Sequence, residues 1–228
     1  MRRVCLLTCL AVCLIMAALA GCGSSSSSGG IASQPPQTIL NESLAAANSL
    51  KSVHASGTIN SGGQHIMLDM TLVGGLGGKG QITLNGLTFQ LVGINKYAYM
   101  QAPPSVWQKA GAPAAAAQLL QGKWLRTPAT GQFASIAKLT DIRQLFNQLL
   151  TQHGKKLTSG GTSTVAGQKV VAVNGQNGSL YVATSGKPYP IRLVKTGSDA
   201  GQLDFDRFNQ STTLTAPTNT IDLPQVSG

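Results

Sequence analysis

The chain has 228 residues, 42% of them hydrophobic, with 17 basic against 7 acidic side chains and a formal net charge of +10. That length suits one ordinary domain with a buried core and gives no reason for a second. The basic side chains are scattered along the sequence, so solvated surface or an anionic envelope surface accounts for them, and a nucleic-acid partner is not expected.

In chain order, Arg2 and Arg3 form a positive n-region, and Val4 through Leu19 is an apolar run of signal-peptide length, too short for a comfortable membrane span. Leu19-Ala20-Gly21-Cys22 has the form of a lipobox, the site at which a bacterial signal peptide is removed and the new N-terminal cysteine is lipidated. The alternatives are a secretory signal cut elsewhere and an uncleaved anchor. Small residues abut a cysteine where the apolar run ends, which favours the lipobox. Residues 1–21 are therefore read as signal peptide and Cys22 as the lipidation site, on the outer face of the cytoplasmic membrane. Without Arg2 and Arg3 the basic count falls from 17 to 15 against the same 7 acidic residues, a net of +8. All four cysteines lie at Cys5, Cys9, Cys13 and Cys22, so the domain beyond Cys22 has neither thiol nor disulfide and is held by packing alone.

Residues 22–37 are the lipidated cysteine and a Ser/Gly/Pro linker, and residues 38–228 are the single domain. Leu40, Leu44, Ala47 and Leu50 recur at helical spacing over residues 38–50, with Thr38 as the expected cap. From residue 53 to 99 the period changes to two, and glycines at 62–63, 74–78 and 85–86 punctuate antiparallel strands. Ile66, Leu68, Met70 and Leu72 share one face, continued by Ile82, Leu84, Leu87, Phe89 and Leu91, which leaves an apolar face that something must cover. Ala-rich segments at 105–110 and 112–120 are covering candidates. Over 141–150, Ile142, Leu145, Phe146, Leu149 and Leu150 fall at i, i+3, i+4, i+7 and i+8, capped by Thr140 or Asp141. A second set of short strands runs from about 155 to 207, and Ile221-Asp222-Leu223-Pro224 is a candidate edge segment. The fold class is α+β: an antiparallel sheet with an apolar face covered by a few helices.

Catalysis has thin support. His54, His65 and His153 lack metal-ligand spacing, no Gly-x-Ser-x-Gly elbow is present, and Glu42 is the only glutamate. Asp204 and Asp206 share a strand face and are weak cation candidates beside the plainer reading of a solvated face. No catalytic residue, metal site or cofactor is assigned.

The element order, on a lipobox-bearing chain, resembles the LppX/LprG group of actinobacterial lipoproteins, whose half-barrel architecture is similar to that of the LolA and LolB carriers. The residues that carry the resemblance are Leu50-Lys51-Ser52-Val53-His54, Asn95-Lys96-Tyr97-Ala98-Tyr99, Gly122-Lys123-Trp124-Leu125, Pro190-Ile191-Arg192-Leu193 and Ile221-Asp222-Leu223-Pro224. The resemblance implies a strongly curved open half-barrel with helices across its mouth, enclosing an apolar cavity for acyl chains. It implies a lipid or glycolipid ligand, membrane attachment through the lipid anchor, and an envelope transporter or assembly partner. Leu68, Met70, Leu84, Phe89, Leu91, Leu145 and Phe146 are then the cavity candidates. The same pattern also serves a filled core in an interaction module, and the sequence leaves the two open.

Overall fold

A computed structural model describes residues 30–154 and 156–223; the expected signal peptide, Cys22, most of the linker, and Pro224 lie outside the described residues. Helix α1 (Pro36–Asn48) leads into a five-stranded meander, β1 (Ser52–Ser61), β2 (Gln64–Val73), β3 (Gly77–Leu84), β4 (Leu87–Ile94) and β5 (Tyr97–Gln101). Helices α2 (Pro104–Lys109) and α3 (Ala114–Leu119), strand β6 (Trp124–Pro128), and helices α4 (Ala134–Thr140) and α5 (Ile142–Thr151) form the middle of the chain. A second meander follows, β7 (Thr158–Val165), β8 (Gln168–Gly175), β9 (Gly178–Ala183), β10 (Pro190–Lys195) and β11 (Gly201–Asp206), and the described chain closes with β12 (Thr220–Asp222).

All twelve strands join one sheet in the order β12-β6-β5-β4-β3-β2-β1-β11-β10-β9-β8-β7. The two meanders meet where β1 pairs antiparallel with β11, and among the described strands only the β12–β6 pair is parallel. Strands β7 and β12 are left as edges, so the sheet is open, in the α+β half-barrel class expected from the sequence.

The period-two pattern decides which face is buried. On β2, Leu68, Met70 and Leu72 are buried while Met67 and Asp69 point outward, and on β11 Leu203 and Phe205 are buried with half-buried Asp204 between them and exposed Gln202 and Asp206 on either side. Helices α1 and α5 cover this inner face. Helix α5 buries Ile142, Leu145, Phe146 and Leu150, and its cap is Asp141, whose carboxylate accepts from the Gln144 amide at 2.8 Å.

Several local expectations change. Helix α1 starts at Pro36 instead of being capped by Thr38; a proline at the first helical position lacks only an N–H that would have no partner there. Ile31 and Ala32, assigned to the linker, form a short 3-10 turn with Ser33 and pack against the core. The run Gly74 to Gly78 is only partly a turn, because Gly77 and Gly78 are already in β3. Gly78 stands opposite Gly93 of β4, and a Cβ on Gly93 would come within 2.3 Å of the Thr140 Oγ1, so these glycines clear a flat seat for the end of α4.

Strand β6 was not foreseen; Trp124-Leu125 leads into a strand because β5 offers it a free edge. Residues 207 and 208, expected to continue the last strand, lie beyond β11, and residues 209–219 were unassigned. They cross the outer face of the sheet as a strap: the Asn209 amide donates to the Ser52 carbonyl at 2.9 Å, Lys79 Nζ donates to the Thr213 carbonyl at 2.8 Å, and Leu214 packs with Val92, Ile94 and Tyr99. The strap delivers β12 to the far edge.

Candidate ligand-binding interior

The space between the helices and the inner face of the sheet is the candidate site. At its centre Phe146 and Phe205 are both fully buried, with ring centroids 4.9 Å apart. Around them the stripe of α5 meets Ile39, Leu40 and Ala47 of α1, Val53 and Ala55 of β1, and Val171, Val173, Leu180, Val182 and Leu193 of the second meander. This interior is packed in the present conformation.

One seam remains. A slot runs between Leu149 and Leu150 at the end of α5, Leu40 of α1, and Val173, Leu180 and Leu193 of β8, β9 and β10, with Leu157 beside it. Its free volume is about 30 Å³, room for little more than a water molecule, and its walls are mostly apolar. Polar groups ring the mouth: Gln152, His153, Asn177, Ser179 and Lys195. Lys195 Nζ lies 3.3 Å from Gln152 Oε1 and 3.6 Å from the Asp199 carboxylate, so it bridges β10 to the end of α5.

The sequence-derived candidates divide among three places. Leu68, Met70, Leu91, Leu145 and Phe146 come together in the main core. Phe89 instead meets Trp107 of α2 edge-on at 5.5 Å, in a smaller cluster with Ala102, Ala117 and Leu125. Leu84 sits half-buried at the end of β3 opposite Ile66 and Leu87. Cys22 lies outside the described residues. Sequence reasoning missed Leu157, Val173, Leu180 and Leu193, although Leu180 and Leu193 stand in short alternating runs that signalled buried strand faces.

Of the polar residues weighed from the sequence, His153 stands at the rim of the slot and the others are engaged elsewhere. His54 is buried on the outer face, its Nδ1 2.6 Å from Asp206 and its Nε2 3.0 Å from Asp69, and this joins β11, β1 and β2 side by side. Asp204 takes a bidentate contact from Arg192, and this carboxylate holds the guanidinium above its usual pKa. Arg126 grips Asp222 in the same way and holds that carboxyl below its usual range. His65 contacts Asn60 at 3.0 Å, and His153 Nδ1 lies 2.7 Å from the Gly154 carbonyl oxygen. Among the described residues no group of three or more His, Cys, Asp or Glu side chains is placed to hold a metal ion, and no helix is long and apolar enough to cross a membrane. The chemistry available at the slot is burial of an apolar guest under a polar rim.

This architecture defines a class: an open twelve-stranded sheet with one apolar face roofed by helices. Among solved structures the chain is similar to LprF from Mycobacterium bovis, at a TM-score of 0.56 and 15% identity, over 80% of this chain and 96% of LprF. It is also similar to the Mycobacterium tuberculosis lipoprotein LppX, at a TM-score of 0.54 and 14% identity, over 79% of this chain and 98% of LppX. At these identities the likeness establishes a shared fold, that of the LppX/LprG lipoproteins which the sequence resembles. No protein-family model matches the sequence, and no curated protein is significantly similar to it.

Proposed function

We propose that the protein is a lipoprotein held through Cys22 at the outer face of the cytoplasmic membrane, whose interior takes up acyl chains of a lipid or glycolipid for transfer or presentation. The observation that carries this reading is the seam between α5 and the second meander: the apolar face of the sheet is roofed by helices that meet it through an apolar slot. A ligand chain that enters there covers the same sheet surface as the stripe of α5, so displacing the helix exchanges one apolar cover for another. At about 0.8 kcal/mol per buried methylene, a long acyl chain contributes on the order of 10 kcal/mol gross, and few polar contacts are needed. The fold shared with LprF and LppX supports the reading. An envelope transporter or assembly partner would receive the cargo.

The apolar clusters of the described residues draw on residues between Ile31 and Leu223, so a chain beginning at Gly23 keeps every residue of them. Titrated with a fluorescent fatty acid, that chain is expected to bind saturably, with displacement by unlabelled lipid. Absence of uptake favours a second reading, an interaction module with a permanently filled core, for which the close packing of Phe146 on Phe205 speaks. Cys22→Ala in the full chain is expected to abolish lipidation and membrane retention; palmitate labelling of that variant would refute the anchor.

A further inference from the structure

One end of the sheet brings exposed apolar and cationic side chains together. Here the β2–β3 turn, the β4–β5 turn, the start of β1 and the junction of α4 with α5 come together around two adjoining clefts of about 180 and 570 Å³ that share Gly75 and Asp141. Leu76 stands at the tip of the first turn, 53% exposed between Gly75 and Gly77, and Tyr97 begins β5 at 38% exposure. Both are large apolar groups held out of the core. Gly75 adopts a φ of +72°, so the turn that lifts Leu76 is set by a residue free to enter the left-handed region.

The charge around these residues is mainly positive. Lys51 and Arg143 line the larger cleft and Lys96 the smaller, all three exposed. The acid present, Asp141, is committed to the amide of Gln144. Asp222 lies near Tyr97 but is taken up by Arg126, whose guanidinium stands 5.1 Å from the Tyr97 ring, and Asp69, Asp199, Asp204 and Asp206 contact bases on other strands. An exposed leucine on a glycine turn, an interfacial tyrosine and a ring of cations are complementary to a surface that is apolar beneath and anionic above. An acidic protein would be met by the cations alone and leave Leu76 unexplained.

We infer that this end of the sheet docks onto an anionic lipid bilayer, with Leu76 entering the acyl region and Lys51, Lys96 and Arg143 facing the lipid phosphates. This contact is additional to the anchor at Cys22 and independent of acyl-chain uptake into the interior. It sets the orientation of the tethered domain on the membrane.

The test uses the chain beginning at Gly23, which carries no anchor, and vesicles of phosphatidylcholine with or without an equal share of phosphatidylglycerol. The unaltered chain is expected to co-sediment with the anionic vesicles and not with the neutral ones. Replacing Lys51, Lys96 and Arg143 by Ala weakens binding by about fivefold for each residue removed, and Leu76→Ser weakens it by about tenfold. A control that removes the same charge elsewhere, Lys109, Lys169 and Lys187 to Ala, retains most of the binding. Equal weakening by the two triple variants overturns the docking surface, as does a Leu76→Ser chain that binds as tightly as the unaltered one. All of the altered side chains are exposed, and near-ultraviolet circular dichroism checks that each variant keeps the fold.

Discussion

The ring of Phe146 on α5 lies 4.9 Å from that of Phe205 on β11, tilted by 49°, and both side chains are fully buried. This pair ties the helical roof to the strand that joins the two meanders. Phe146→Ala removes that tie and leaves a void, so stability to urea is expected to fall by about 3–5 kcal/mol. A loss below about 1 kcal/mol would mean that the roof is not held here.

The seat of α4 gives a second prediction. A methyl group on Gly93 collides with Thr140, so Gly93→Ala is expected to cost about 1–3 kcal/mol through overpacking. Combining it with Thr140→Ala should recover part of the loss, because the two sites share one contact. Strict additivity in the double variant would show that Gly93 matters for another reason.

How much of this was legible in sequence depends on how local the cause is. The stripe of α5 and the alternation of Leu68, Met70 and Leu72 follow from period alone, and the structure places them together in the core. Gly77 and Gly78 looked like turn residues and Gly93 received no reading, because a glycine in a strand has no local signature; the reason for Gly93 is Thr140, which is 47 residues beyond it. Likewise β6 and the strap at 207–219 exist through partners distant in sequence, and Phe89 was drawn from the core by Trp107, whose position depends on α2. The slot lies against the second meander, where Val173, Leu180 and Leu193 occupy short strands that carry less periodicity than the first.

That slot is the route proposed for an acyl chain. Leu157, half-buried at its edge, is expected to tolerate Glu for folding, while the charge placed beside the apolar slot lowers fatty-acid uptake by at least about tenfold through the cost of desolvating it. Unchanged uptake by Leu157→Glu would move the route elsewhere.

The edge strand β12 depends on Arg126 and Asp222, with the Leu223 amide donating to the Arg126 carbonyl at 2.8 Å. The hydrogen bonds and charge of Arg126 hold the folded Asp222 carboxyl below its ordinary pKa of 3.8. A depressed acid stabilises the folded state above the unfolded value and loses that contribution as pH falls through the folded one. The amide shifts of Ile221 and Leu223 should therefore be steady from neutral pH down to about 4 and move only in stronger acid. Asp222→Asn is expected to remove that acid transition, and a transition that persists in the variant would assign it to another group.

The central claim is that the roofed interior opens to take lipid, and the native mass of the chain beginning at Gly23, incubated with lipid extracted from a bacterial envelope and weighed before and after organic extraction, tests it most directly. The account predicts an excess mass that extraction removes, carried by a species with acyl chains. Recovery of the bare polypeptide mass in both samples, after exposure to envelope lipid, would contradict it.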